Sequence, residues 1–263
     1  MNKITAGNIE KYLKTKIFGR ELTVLDETFS TNNDAKNLAE NGAKEGTMVI
    51  ARCQSGGRGR LGRSFFSQKD KGLDMSVILR DENALKSGIL LTSLTAVAVS
   101  NAIEKVSGAE VKIKWVNDIY LNGKKVCGIL TESKIDAQSG VPQYIVLGIG
   151  INVKKTQFPK DIAEIATFIE NEAKQEIDIN YLAAEVLNQF EILYQNFETG
   201  DFLKENKARS TVVGKNIKVV RGDESYNAFA KDIDDCGGLI IIRDGKEEVL
   251  SSGEVSVRTL NED

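Results

Sequence analysis

Nine consecutive residues, Ser55-Gly56-Gly57-Arg58-Gly59-Arg60-Leu61-Gly62-Arg63, interleave four glycines with three arginines. Glycine lets the backbone approach a ligand and expose its N–H groups, and a guanidinium offers forked donors to phosphate or carboxylate oxygens. From Thr47 to Lys69 the basic residues are Arg52, Arg58, Arg60, Arg63 and Lys69, and there is no acid. This pattern suits capture of a phosphorylated or carboxylated small molecule, with Phe65 and Phe66 following closely enough to pack on it and shield it from water. It is not a P-loop, which needs GxxxxGK[ST], nor a dinucleotide fingerprint, which needs GxGxxG opening a helix. The competing reading is an arginine-glycine segment that binds RNA, but such segments come as longer repeats with interleaved aromatics and a basic face.

A second cluster runs Lys112-Ile113-Lys114-Trp115-Val116-Asn117-Asp118 and continues through Lys124-Lys125 to Glu132. Alternate side chains of a strand share a face, so Lys112 and Lys114 point one way and Trp115 the other. Lys112 reads as a solvated edge lysine. Lys114 and Lys125 read as fixed positive charges for developing oxyanions, because Asn117-Asp118 and Gly128-Ile129-Leu130 around them suggest a polar site that is partly buried. A third cluster, Ser30-Thr31-Asn32, has the residue types of a helix N-cap, and a helix N-terminus also favours carboxylates and amide-type acceptors. The chain has no histidine, which excludes Ser-His-Asp and Cys-His nucleophiles, His general bases and zinc-His sites.

These residues must be positioned by regular elements, and the periodicities suggest which. Residues 5–18 carry Ile9, Tyr12, Leu13 and Ile17 at helical spacing. ELTVLDE alternates as a strand, the Ser30 cluster opens a helix through DAKNLAENG, and TMVIAR is a strand leading into the long glycine-arginine loop. MSVILR is another strand, and residues 89–106 are apolar nearly all round, as in a helix buried against a sheet. Asn122-Gly123 lies between two β-type runs, a strong hairpin signal, and YIVLGIGINV supplies a further partner. Residues 161–207 read as helical, and from about 210 short strands and turns suggest a small β-barrel.

Composition sets the remaining limits. The 263 residues are 41% hydrophobic with a net charge of −3, enough for a large core and giving no general attraction to nucleic acid or anionic membrane. Cys53, Cys127 and Cys236 are far apart with no CxxC, and the N-terminus lacks an apolar signal core, so a reduced, cytoplasmic protein is expected.

In order, ETFSTN, ARCQSGGRGRLGRSFFS, KWVNDIYLNGKKVCGILTE, VLGIGINV and GEVSVR resemble the motif series of biotin protein ligases over roughly residues 22–260. The resemblance implies an α+β fold: a class II synthetase/lipoate-ligase-like catalytic domain (1–209) with a mixed, largely antiparallel sheet flanked by helices, and a small C-terminal SH3-like β-barrel (210–263). It implies biotin contacts from Ser30, Thr31, Asn32, Gln54, Arg58, Gly59, Arg60 and Lys125. ATP or adenylate contacts would come from Arg60, Arg63, Phe65, Lys114, Asn117, Asn152 and Arg258, with Gly148 to Asn152 as the floor. Lys125, Arg60 and Lys114 would be catalytic and Asn117 would help hold Mg2+.

The activity implied is conversion of biotin and ATP to biotinyl-5′-AMP, then transfer to a lysine of a biotin carboxyl carrier domain, such as that of acetyl-CoA carboxylase. The loop at 55–68 would close over the intermediate. About 20 residues precede the first catalytic strand, too few for the winged helix that some family members use to bind DNA, so no DNA partner and no membrane partner is expected. Monomer and homodimer both stay open. The rivals are a lipoate-type ligase of the same superfamily and a non-catalytic module that binds biotin or biotinyl-AMP.

Overall fold

A computed structural model describes residues 3–259 apart from 86, 139, 174 and 252–254. Seven strands build the first sheet: β1 (Leu22–Leu25), β2 (Met48–Ala51), β3 (Gly72–Leu79), β4 (Lys112–Lys114), β5 (Asp118–Leu121), β6 (Lys124–Ile135) and β7 (Pro142–Asn152). Their order is β1-β2-β3-β7-β6-β5-β4, with β1 and β2 parallel and every other pair antiparallel. The fold is α+β with a mixed, largely antiparallel sheet.

Alternation along β3 shows how the sheet is sandwiched. Leu73, Met75, Val77 and Leu79 join the main core, whereas Ile78 packs with Ala35, Ala39, Val49, Tyr144 and Val146 under α2 (Thr31–Glu40). Asp74 and Ser76 share the face of Ile78, so the α2 side of the sheet becomes polar towards one end. The main core lies under α4 (Gly88–Ser107) and α5 (Ile179–Tyr194), after the short α1 (Ala6–Glu10) and α3 (Glu82–Leu85). Ser87 accepts the Leu90 N–H to start α4, and Gly108 ends it in the left-handed region at φ 72°. By length and composition α4 could cross a membrane, but 72% of its apolar window is buried inside the protein.

Asn122 and Gly123 both have positive φ, 47° and 76°, as a two-residue hairpin between β5 and β6 requires. After α6 (Phe202–Ala208), five strands form an antiparallel sheet: β8 (Lys215–Arg221), β9 (Glu224–Ile233), β10 (Leu239–Arg243), β11 (Lys246–Leu250) and β12 (Val255–Thr259), ordered β11-β10-β9-β8-β12. Ile217, Val219, Ala230 and Leu239 continue the main core, and buried Trp115 donates from Nε1 to Gly237 O at 3.0 Å, tying this sheet to the first.

Two helical expectations need correction. The N-terminal helix is only Ala6–Glu10, with Ile9 buried and Tyr12 and Ile17 exposed, because the chain turns so that Lys14 gives its amide to Asn188, and Lys16, Ile17 and Phe18 give theirs to Glu191, of α5. The described residues of 161–178 form turns, an isolated bridge at Ala166 and a single 3-10 turn; helix begins at Ile179, where the Asp178 carboxylate accepts the Asn180 N–H as a cap, and is broken again between Tyr194 and Phe202. Helical spacing of apolar residues cannot distinguish a helix from turns that use the same residues to reach the core.

Candidate active site

The strand ends, the start of α2 and the glycine-arginine loop enclose a cavity of about 800 Å³. It is lined by Ser30, Thr31, Asn32, Gln54, Arg58, Gly59, Arg60, Arg63, Phe65, Lys114, Asn117, Lys125 and Asn152, so residues from well-separated stretches converge. Arg258 sits on β12 opposite Lys218, and its side chain lies outside the described residues. Its neighbour Val257 reaches the cavity wall.

The floor is glycine. Gly128 of β6 pairs with Gly150 of β7, and Gly148 lies opposite Leu130. A β-carbon on Gly148 would sit 2.2 Å from Asn32 Oδ1, and one on Gly150 would sit 2.5 Å from the Phe65 ring, so side chains here would fill the space that Asn32 and Phe65 occupy.

At the α2 end the polar groups are buried and locked. Ser30 stands at the N-cap position in extended backbone, yet its hydroxyl makes no cap bond. Gln54 caps the helix instead, its Oε1 accepting from Thr31 N–H at 2.8 Å and from Thr31 Oγ1 at 3.1 Å. Cap-type residues therefore mark the helix start correctly while the Ser30 hydroxyl remains on the cavity wall. Ser76 lies 2.7 Å from Thr31 Oγ1 and 2.6 Å from Asn32 Oδ1, to which only a hydroxyl proton can be given. Asn32 Nδ2 in turn donates to Glu132 Oε2 at 2.7 Å. Burial pushes Glu132 up, but hydrogen bonds from Lys36 and Asn32 outweigh it and hold the carboxyl below its ordinary range.

The opposite wall is cationic. Gly59 N–H donates to Arg63 O at 2.7 Å and Phe65 N–H to Gly57 O at 2.9 Å, folding the loop back on itself, with Leu61 in the left-handed region at φ 56°. Arg60 Nη1 donates to Asn117 Oδ1 at 3.1 Å, and Asn117 Nδ2 donates to Ile129 O at 3.0 Å. Burial lowers the Arg60 pKa, opposed by the nearby Asp118 charge. Lys125 Nζ lies 2.6 Å from Asp118 Oδ1, and its main chain is fixed by Ile165 O and Thr167 N–H. Lys114 Nζ reaches Tyr120 Oη at 3.4 Å; burial pushes that phenol up to about 12. Arg58 lies over the Phe29 ring at 5.6 Å, and Phe66 packs edge-on against Phe158, itself stacked on Phe168.

Sequence reasoning missed Asp118, Tyr120, Ser76, Glu132 and the lip Ile162, Ile165 and Ala166. Asp118 stands inside the KWVNDIYL motif and could have been found as the counter-charge for Lys125. The lip carried no signal, because its stretch has the apolar spacing of a helix.

For a metal, among the described residues no three of His, Cys, Asp and Glu converge. Asn117 Oδ1 and the adjacent Asp118 suit Mg2+ only in the manner in which that ion keeps most of its waters and takes the rest of its ligands from a bound phosphate.

Residues 24–152 match the model of the biotin/lipoate A/B protein ligase family, and residues 212–258 match that of the biotin protein ligase C-terminal domain. Over 258 residues the chain is 36% identical to the bifunctional ligase/repressor BirA of Bacillus subtilis (strain 168), covering 95% of this chain and 78% of that one. It is 31% identical to the biotin–[acetyl-CoA-carboxylase] ligase of Mycobacterium tuberculosis (strain ATCC 25618 / H37Rv) over 94% of both. The chain belongs to the biotin protein ligase family. The fold of biotin protein ligase from Aquifex aeolicus in complex with biotin and ATP superposes with a TM-score of 0.79 at 27% identity, over 92% of this chain and 100% of that one. The biotin protein ligase fold thus accounts for both sheets, the second being the family's C-terminal domain.

Proposed function

We propose that this chain is an ATP-dependent biotin ligase that makes biotinyl-5′-AMP and transfers biotin to a lysine of a biotin carboxyl carrier domain, such as that of acetyl-CoA carboxylase. The observation that carries this reading is one cavity with a locked, neutral hydrogen-bonding end and a cationic end. A cyclic urea with a short acid tail needs the first for its ring, and an acid meeting a triphosphate needs the second. Ser30, Thr31, Asn32 and Gln54 hold the ring, while Lys125 leaves Asp118 for the biotin carboxylate. Lys114, Arg63, Phe65, Asn117, Asn152 and Arg258 take the nucleotide, and Arg58 and Gly59 close over biotin.

A carboxylate is a poor acylating agent. One of its oxygens attacks the α-phosphorus, pyrophosphate leaves, and Arg60, Lys114 and Lys125 stabilise the charge accumulating there. Asn117 and Asp118 are the residues that would hold Mg2+, which when bound neutralises phosphate charge. The carrier lysine then attacks the acyl carbon of the mixed anhydride and AMP departs. The loop at 55–68 excludes water in between, protecting the anhydride from hydrolysis. We divide the chain at 209/210 and place it in the cytoplasm.

The test is ATP–pyrophosphate exchange with Mg2+, comparing biotin with lipoate. Exchange that needs biotin supports the reading. Exchange with lipoate alone moves the chain to the lipoate-type activity, and none with either leaves a binding module.

A further inference from the structure

Behind the cavity, and outside it, stands a carboxylate that the reaction above does not use. Asp74 on β3 is 3% exposed and lines a small separate pocket with Ser67, Lys71, Gly72 and Asn152. A buried acid is costly unless hydrogen-bonded, and the partners of Asp74 are neutral groups that lead to the site. Ser67 Oγ lies 2.6 Å from Asp74 Oδ2 and accepts from Gln54 N–H at 2.9 Å, and the Gln54 side chain also favours the ionised carboxyl.

Proton counting gives this relay a direction. A hydroxyl has one hydrogen, and once Ser67 spends it on Asp74 only its lone pairs are left for Gln54. On the cavity side Gln54 Oε1 accepts both donors of Thr31. The amide is thereby held with its oxygen towards Thr31 and its nitrogen available to the ligand side and to Asp74. Ser76, two residues along the same face of β3, has one hydrogen for the Asn32 Oδ1 and Thr31 Oγ1 it lies against, so it bonds the two in alternation or shares that hydrogen between them.

We propose that Asp74 is a positioning residue for biotin: through Ser67 its carboxylate anchors the Gln54 main-chain N–H, and by facing the Gln54 side chain it keeps that amide turned with its oxygen to Thr31 and its nitrogen free to read the substrate's ring. The proposal rests on the reading of the cavity as a biotin site.

Protonating Asp74 replaces the charged acceptor at which the relay ends by a weaker neutral one and sets an O–H donor beside Ser67 and Gln54. Burial pushes its pKa up to about 6, with the hydrogen bonds from Ser67 and Gln54 opposing. Of the charged groups around it, Lys71 shares its small pocket, while Arg52 and Asp70 pair with each other. Its cross-strand partners, Ala51 on β2 and Gly150 on β7, carry no charge. The carboxylate therefore ionises inside the range of an ordinary assay.

The experiment measures kcat and both KM values for biotin-dependent ATP–pyrophosphate exchange from about pH 5 to about pH 8, using the full chain, Asp74→Asn and Ser67→Ala. The wild-type KM for biotin should rise about tenfold towards the acid end while the KM for ATP stays within about twofold. Asp74→Asn should start about tenfold higher in biotin KM near neutrality and lose the pH dependence, and Ser67→Ala should also raise biotin KM selectively. A flat wild-type profile, or Ser67→Ala and Asp74→Asn with unchanged biotin KM, would overturn the proposal. If Asp74→Asn does not fold, the wild-type profile and Ser67→Ala decide. Wild-type protein with no biotin-dependent exchange at any pH would overturn the assignment of the cavity itself, a result distinct from failure of the relay.

Discussion

The two ends of the cavity are built on opposite principles. At the α2 end Ser30, Thr31 and Asn32 are at most 5% exposed, and the Thr31 and Asn32 side chains are held by Ser76, Gln54 and Glu132. At the loop end Arg58, Leu61 and Arg63 are exposed, and the backbone turns through a left-handed leucine. The first arrangement costs no reorganisation when a ligand arrives and so gives selectivity; the second can change shape and so can admit, cover and release. The lesson is that a site which must discriminate one small ring, yet also pass an intermediate to another protein, separates rigidity and mobility into different walls.

The largest expected effect comes from breaking the rigid wall. Gly148→Ala puts a methyl where Asn32 Oδ1 sits, and Asn32 cannot yield without losing its bonds to Ser76 and Glu132. The KM for biotin should rise about 100-fold, with ATP affected far less, in steady-state exchange kinetics. An unchanged biotin KM would mean that this wall is softer than its hydrogen bonds imply.

Next comes the loop. Arg60→Gly removes the contact from the loop to Asn117, and release of free biotinyl-AMP should be about tenfold faster, followed by chromatography of the product with no carrier present. Intermediate retention equal to wild type would deny the loop its protective role.

The smallest effect sharpens the comparison by asking what the rigid wall costs. Folding raises the Asp74 pKa from 3.8 to about 6, so the stability this group contributes is present below about pH 4 and is lost as the pH rises through about 6. Asp74→Asn should accordingly gain on wild type as the pH rises through those values, reaching about 1 kcal/mol or roughly 2–4 °C in Tm near neutrality once its poorer hydrogen bonding is set against the relief. A Tm difference independent of pH would show that Asp74 carries no such burden.

Much of this molecule was legible in the order of its residues. The glycine-arginine run and the Asn122-Gly123 hairpin are local, because each depends on the φ range or donor count of a few neighbouring residues. The residues gathered by the glycine-arginine, Lys114 and Ser30 motifs do line one cavity, which local patterns could only suggest. What could not be read was pairing at a distance. Gln54 taking over the cap from Ser30 and Asp74 behind Gln54 arise from strand register and from which chain ends meet. The expectation of helix after residue 161 failed for a related reason, since the apolar residues there are spaced for a helix but Ile162, Ile165 and Ala166 form a lip and Phe168 and Ile169 are buried from turns.

The sequence by itself determined the chemical inventory: no histidine, an acid-free arginine loop and lysines beside Asn117, hence an anion site worked by fixed positive charge. Only the tertiary structure decided which of those charges are matched, which amides are locked and which wall is stiff. Hydrogen bonds and ion pairs act over about 3 Å, and whether Thr31, Gln54, Ser67 and Asp74 stand within that reach is settled by how β3 packs beneath α2 and the loop.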